Sequence, residues 1–255
     1  CAFCSQSCIS SAVHESYPMM DVARISAALK RAGESGADHF SIVASGRSPA
    51  ESELLAVCGI INREHEGLPH WCASLGILSM RQMRLLKDAG LKRYHHNLET
   101  DRTYFPRICR THEWEDRANT VCNARLAGLE VCSGGVIGLG ESLDQRVNMA
   151  FSLRELQVDS IALNFLIPLE GTVIDSPKRW SSPSDLLRTV IMFGLVCQDS
   201  ELCICAGRKR LEGFEKEIFS AGVSGIMTGD LLTTAGSGIS ADLELLEAAG
   251  RIPAS

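Results

Sequence analysis

The 255-residue chain has no run of about 18 apolar residues, so no membrane-spanning helix is expected. It opens on a cysteine with no basic-then-apolar leader after it, and no signal peptide is expected. There is no excess of positive charge: 25 Lys and Arg face 31 Asp and Glu, a net charge of −6. That balance argues against a nucleic-acid-gathering surface and leaves small or anionic partners open. No linker or low-complexity stretch interrupts the pattern, so residues 1–255 are read as one domain. The G-x-G-x-x-G dinucleotide pattern is missing too; the glycines of Gly134-Gly-Val136-Ile-Gly138-Leu-Gly140-Glu141 are spaced otherwise.

What the chain does have is cysteine, eleven of them. A short secreted protein with that count would be a disulfide scaffold. This chain is long, is not expected to carry a leader and has an odd number, which fits metal-bound thiolates in a reducing cytoplasm better. Cys1-Ala-Phe-Cys4, two cysteines three apart beside an aromatic, has the form of an iron–sulfur loop, though the spacing also suits zinc. Cys58, Cys109, Cys122 and Cys197 read as small buried hydrophobes, and Cys8 stays open.

Short apolar runs alternate with helical stretches. Strands are predicted at about 39–45, 69–75, 92–98, 129–137, 160–166, 201–207 and 223–228, with helices filling the gaps. Glycine after the helices marks their ends at Ala32-Gly33, Ala89-Gly90, Ala127-Gly128, Ala221-Gly222 and Ala249-Gly250. Ser48-Pro-Ala-Glu51, Ser79-Met-Arg-Gln82 and Ser142-Leu-Asp-Gln145 read as capping boxes, and Ser182-Pro183 places proline at the first helical position. Alternation of this kind predicts an α/β fold with a parallel sheet, and seven strands is one short of a TIM-type βα barrel. The first barrel strand is expected upstream of residue 1, the chain being N-terminally incomplete.

Three constellations carry chemistry. Cys203 and Cys205 share a strand face, and Cys72 and Cys132 lie on other strands. With the absent strand counted as first, these are odd-numbered strands, whose side chains fill the same interior layers of a barrel. Convergent thiolates would make a soft-ligand metal site, set against the plainer reading of core cysteines. His95, Asn97 and Glu99 are predicted to share one face of a strand, a polar wall that is costly to bury without a ligand or network. Asn164 is an amide amid apolar residues. The glycines at 134–140 would let a ligand approach backbone amides, or form only a tight turn.

Cys1-Ala-Phe-Cys4-Ser-Gln-Ser resembles the last two cysteines of the C-x3-C-x2-C loop of radical S-adenosylmethionine (SAM) enzymes, specifically biotin synthases. Phe40–Gly46, Tyr94–Thr100, Cys132–Glu141, Asn164–Thr172, Ala206-Gly-Arg208 and Gly229–Thr234 extend the resemblance, in order, over essentially the whole chain. It implies a cytoplasmic TIM-barrel sulfurtransferase that inserts sulfur between C6 and C9 of dethiobiotin, forming biotin's thiophane ring. A 4Fe–4S cluster would bind SAM and cleave it reductively to a 5′-deoxyadenosyl radical. By the resemblance Cys1 and Cys4 ligate that cluster, and its leading cysteine would precede Cys1 by four residues. Asn97 and Glu99 hold the SAM ribose; Gly134, Val136, Gly138 and Glu141 form the SAM-contacting strand end. Asn164 holds the dethiobiotin ureido ring, with His95 a substrate-side residue where many members have Asn. An electron donor such as flavodoxin or ferredoxin is implied, as is a homodimer.

The second, sulfur-donating cluster departs from the familiar 2Fe–2S form held by three cysteines and an arginine. Ser41 stands at one cysteine position and Cys203 at the arginine position, while Cys72 and Cys132 match. Arginine is a very weak iron ligand, its pKa exceeding about 12. Thiolate in its place, with Cys205 nearby, favours a four-iron auxiliary cluster over 2Fe–2S. The alternatives are another radical SAM barrel enzyme and a non-catalytic iron–sulfur protein.

Overall fold

The computed structural model describes residues 1–251 apart from positions 16, 65, 66, 68, 177–180, 230–235 and 237. The elements, in chain order, are α1 (Val22–Glu34), β1 (His39–Val43), α2 (Glu51–Arg63), β2 (His70–Ser74), α3 (Met80–Asp88), β3 (Arg93–His95), α4 (Phe105–Ile108) and α5 (Trp114–Leu126). Then come β4 (Glu130–Ile137), α6 (Leu143–Glu155), β5 (Ser160–Phe165), α7 (Pro183–Val196), β6 (Glu201–Ile204), a 3-10 turn at Arg208–Leu211, α8 (Glu217–Ser220), β7 (Gly225–Ile226) and α9 (Ile239–Ala248). The seven strands are ordered β1 to β7, and the registers given for them are parallel. Sequential parallel strands with helical crossovers are consistent with part of a TIM-type βα barrel, not a fully closed one. All seven expected strands are present, each shorter than predicted.

Two compact units divide the chain: residues 1–15, 97–118 and 133–251 form one, and 16–96 with 119–132 the core of the other. β4 and α5 run from one into the other.

In the unit containing residues 16–96, α2 buries Leu54, Val57, Ile60 and Ile61, the i, i+3, i+4 stripe of a core-facing helix. Trp71 on β2 is buried, and its indole N–H donates to the Glu64 carbonyl at 2.8 Å. The Tyr94 hydroxyl donates to the Gly76 carbonyl at 2.6 Å, which satisfies a polar tip in a dry place. Burial pushes the Tyr94 phenol far above its ordinary range.

In the unit containing 133–251, α6 buries Met149, Ala150 and Leu153, and α7 buries Leu186, Val190 and Phe193. Each fully buried Leu, Ile or Phe contributes about 1.5–3 kcal/mol. A second apolar cluster gathers Ala2, Phe105, Ile108, Cys109, Val136, Leu139, Leu166 and Ile174, with Cys1, Phe3, Tyr104 and Trp114 against it.

Ser79, Ser142 and Ser182 cap α3, α6 and α7 as the sequence predicts. α2 differs. It starts two residues later than Ser48 implies, at an Ala50 N-cap whose N–H donates to the Glu53 carboxylate at 2.8 Å. The α1 stop also differs. The helix runs past Gly33, and Gly36, at φ +77°, takes the left-handed position. Among the described residues no helix is long and apolar enough to cross a membrane.

Candidate functional site

The cysteine loop is held from two directions. The Ala2 N–H donates to the Ile108 carbonyl at 2.7 Å, and the Ile174 N–H donates to the Ala2 carbonyl at 3.0 Å. The Cys4 N–H donates back to the Cys1 carbonyl at 3.2 Å, closing a turn that leaves both thiols half-buried. None of the cysteines is in a disulfide. Ser5, in the same loop, is buried with its hydroxyl unsatisfied among the described residues.

The segment after β3 builds the polar wall. The strand ends at His95, so the expected strand to residue 98 does not form, and Glu99 turns to φ +70°. The alternation survives all the same: His95, Asn97 and Glu99 are half-buried, while His96, Leu98 and Thr100 are buried. The Leu98 and Glu99 N–H groups both donate to the Gly134 carbonyl, at 2.8 and 3.1 Å, and the Val136 N–H donates to the Glu99 carbonyl at 2.9 Å. Val136 also packs in the cluster that contains Ala2. Cysteine loop, polar segment and strand end are thereby fastened to one another within a single unit.

Arg117 braces the wall. One guanidinium nitrogen lies 2.7 Å from the Asn97 carbonyl and 3.2 Å from the Glu99 carboxylate. The Asn97 side-chain oxygen is buried without a partner among the described residues. A buried amide oxygen left open is what a polar ligand would satisfy. Arg117 was not legible in the sequence, since it lies eighteen positions past Glu99 with no periodic relation to it.

The glycine-rich strand end is closely packed against its neighbours. A Cβ at Gly134 would fall on the Ala162 carbonyl, and one at Gly135 on the Glu99 carbonyl. These two glycines let backbones approach each other closely. Glu141 is 2 % exposed and fully engaged. Its carboxylate accepts from Gly138 N–H at 2.9 Å, Gly140 N–H at 3.0 Å and Arg146 at 2.7 Å, and Arg146 donates on to the Thr189 hydroxyl at 2.8 Å. Gly138, at φ +102°, is thus pinned by a buried ion pair.

Asn164 ties neighbouring strands. Its amide N–H donates to the Gly135 carbonyl at 3.3 Å and its oxygen accepts from Ala206 N–H at 3.0 Å. Burial works against the Cys109 thiolate, but hydrogen bonds from Thr111 and His112 outweigh it and hold the pKa below its ordinary value.

Two family patterns divide the chain: the Radical SAM superfamily matches residues 1–153, and the Biotin and Thiamin Synthesis associated domain matches 162–252. The biotin synthase of Maridesulfovibrio salexigens is 44% identical over 251 residues, 98% of this chain and 76% of that protein. That of Acetivibrio thermocellus is 43% identical over 252 residues, 98% of this chain and 78% of that one. The chain belongs to the biotin synthase family. It is a radical SAM enzyme, a sulfurtransferase by its relatives. Among solved structures, methylornithine synthase matches with TM-score 0.80 at 18% identity, over 100% of this chain and 79% of that one. The hydrogenase maturase HydG matches with TM-score 0.79 at 16% identity, over 94% of this chain and 58% of that one. At such identity the likeness shows the fold alone.

In this biotin synthase relative Cys72, Cys132 and Cys203 fall on β2, β4 and β6, the alternate strands expected for them, and Cys205 follows the end of β6. Cys72 lies on β2 beside Ser41 of β1, and Cys132 lies on β4 beside His95. In the other unit Cys203 lies on β6 beside Ala162, with Ser160 Oγ 3.6 Å from its sulfur. β6 ends at Ile204, one residue before Cys205, yet the Cys205 N–H still donates to the Leu163 carbonyl at 2.8 Å. No group of three or more His, Cys, Asp or Glu side chains arranged for a metal ion occurs among the described residues. Of the core-type cysteines, Cys109 and Cys197 are buried, while Cys58 and Cys122 are half-exposed. Positions 230–234 of the segment Gly229–Thr234 lie outside the described residues.

Proposed function

We propose that this enzyme, acting as one catalytic domain over residues 1–255, inserts sulfur between C6 and C9 of dethiobiotin. The observation that carries the reading is the coupling of three parts. The Val136 N–H reaches the Glu99 carbonyl, Val136 packs with Ala2 beside Cys1, and the Asn97 side-chain oxygen is left open next to them. That donor set suits an iron-bound, ribose-bearing ligand: soft thiols at Cys1 and Cys4, hydroxyl acceptors at Asn97 and Glu99. The 4Fe–4S cluster, when bound, supplies the electron that cleaves SAM to the 5′-deoxyadenosyl radical.

The chain's own residues do the rest. Cys1 and Cys4 would hold the iron as thiolates. Asn97 and Glu99 would accept hydrogen bonds from ribose hydroxyls, with Arg117 setting the Glu99 carboxylate. Gly138, fixed through Glu141 and Arg146, shapes the strand end, and Val136 closes the apolar side against water. Asn164 would pair with the ureido group, and His95 lies on the substrate side. For the auxiliary group, the donor chemistry of Cys72, Cys132, Cys203 and Cys205, all thiols, suits a four-iron cluster; 2Fe–2S is the other possibility. A flavodoxin- or ferredoxin-type donor, a homodimer and a cytoplasmic setting complete the reading.

The test is an anaerobic single turnover of the cluster-loaded protein with dethiobiotin, SAM and a reductant, followed by mass spectrometry. Biotin formed together with 5′-deoxyadenosine is the expected result. Deoxyadenosine without biotin overturns the substrate assignment, and neither product overturns the radical chemistry. Mössbauer spectra containing only 2Fe–2S signals beside the SAM cluster would refute the four-iron assignment.

A further inference from the structure

Arg117 is itself held. Its Nε–H donates to His112 Nε2 at 3.0 Å, while its terminal nitrogen serves the Asn97 carbonyl and Glu99 carboxylate. A guanidinium is always protonated and can only donate. His112 Nε2 must therefore offer a lone pair, and the ring is neutral with its proton on Nδ1. That proton has acceptors in place: Thr111 Oγ1 at 3.0 Å and Cys109 Sγ at 3.4 Å. The His112 ring meets Phe105 edge-on with centroids 5.6 Å apart, and the Arg117 guanidinium lies 5.8 Å from the same Phe105 ring. Imidazole and guanidinium are thus set against one aromatic wall, and the imidazole tautomer is chosen by its far-side partners.

We propose that His112 is a positioning residue for the SAM site: its Nε2 lone pair fixes the Arg117 guanidinium, and through it the Glu99 carboxylate and the Asn97 backbone. The inference rests on the reading of Asn97 and Glu99 as SAM-holding residues. Glu99 has a reason to need the brace. It stands at positive φ just past the end of β3, and Arg117 is the cation given to its carboxylate. Without an acceptor at Nε the guanidinium is free to rotate about its stem, and the carboxylate turns with it. The effect falls on cofactor affinity and leaves dethiobiotin affinity alone.

The experiment is equilibrium binding of SAM to the cluster-loaded, unreduced protein without dethiobiotin, so that no turnover occurs. His112→Phe keeps a ring against Phe105 but removes the acceptor; binding is expected to weaken about tenfold. His112→Gln restores an acceptor oxygen and is expected to recover most of that loss. His112→Asn, too short to reach the guanidinium, repeats the Phe result without a bulky ring. In steady state the KM for SAM rises in His112→Phe while the KM for dethiobiotin stays put. Two controls separate the ways to fail. If Glu99→Gln weakens SAM binding but His112→Phe and His112→Asn do not, the positioning role is wrong. If Glu99→Gln and Asn97→Ala both bind SAM like the parent, the reading of the site is wrong, and the inference falls with it. Loss in all three His112 variants alike, Gln included, also overturns it, because the lone pair would then not be the cause.

Discussion

Replacing Arg146 by Met isolates a single buried charge. The Arg146 side chain is 1% exposed and its Glu141 partner 2%, with Nε and the carboxylate 2.7 Å apart. Methionine fills much of the volume, so the change is electrical more than steric. It leaves the Glu141 carboxylate buried with only the Gly138 and Gly140 N–H donors, and strips the Thr189 hydroxyl of its guanidinium donor. Removing one partner of a buried pair costs about 3–5 kcal/mol. At about 2–4 °C per kcal/mol for a chain of this size, the melting temperature should fall by roughly 6–20 °C. Anaerobic differential scanning calorimetry of the cluster-loaded protein measures it. Glu141→Gln combined with Arg146→Met neutralises the orphaned charge and keeps an acceptor for one glycine. The double variant should therefore lose less than the sum of the single losses, by at least about 1 kcal/mol. A drop of under about 3 °C for Arg146→Met, or additive losses, would refute the idea that the pair holds the Gly138 turn.

Gly134→Ala should abolish folded protein or cost well over 10 °C, because its Cβ would meet the Ala162 backbone, which cannot yield as a side chain can; expression followed by calorimetry checks it. Glu130 tests the acid side. Burial raises its pKa, but Lys92 at 2.7 Å and Arg93 at 2.9 Å outweigh it and hold the folded-state value below the ordinary 4.5. Its contribution is complete above about pH 4.5 and is lost as pH falls through the folded-state value, so Glu130→Gln should flatten that part of the stability–pH curve. Burial pushes the Cys197 thiol up to about 11. At pH 8 the folded protein should leave Cys197 unlabelled by an alkylating reagent that reaches Cys8, as peptide mapping would reveal.

The strands were readable because parallel strands buried on both faces leave apolar runs between glycine-ended helices. Ser79, Ser142 and Ser182 were readable because a cap is a local bond between residues three apart. Ser48 misled for the same reason in reverse: Pro49 and Ala50 follow it, and the glutamate that bonds at this helix start, Glu53, serves Ala50. The polar wall was found by its residue types, yet its geometry was not, since Glu99 leaves the strand conformation on which a period-two argument depends. That Gly134 and Gly135 clear the Ala162 and Glu99 backbones is a tertiary fact with no local trace. Arg117 escaped because Asn97, to which it bonds, lies twenty positions away, and His112 because its role exists only through Arg117.

The fastening of the cysteine loop has a consequence for assembly. Ala2 is secured by Ile108 on one side and Ile174 on the other, and the Ser11 N–H donates to the Gly171 carbonyl at 2.8 Å. These partners are made long after the loop itself. At about 5–20 residues per second of synthesis, the interval between Ala2 and Ile174 is on the order of ten to thirty seconds. Cys1 and Cys4 spend that time exposed as unconstrained thiols, open to oxidation and stray metal. Until Ile108, Gly171 and Ile174 have been made the loop lacks its frame, so its final shape waits on residues more than a hundred positions further along the chain.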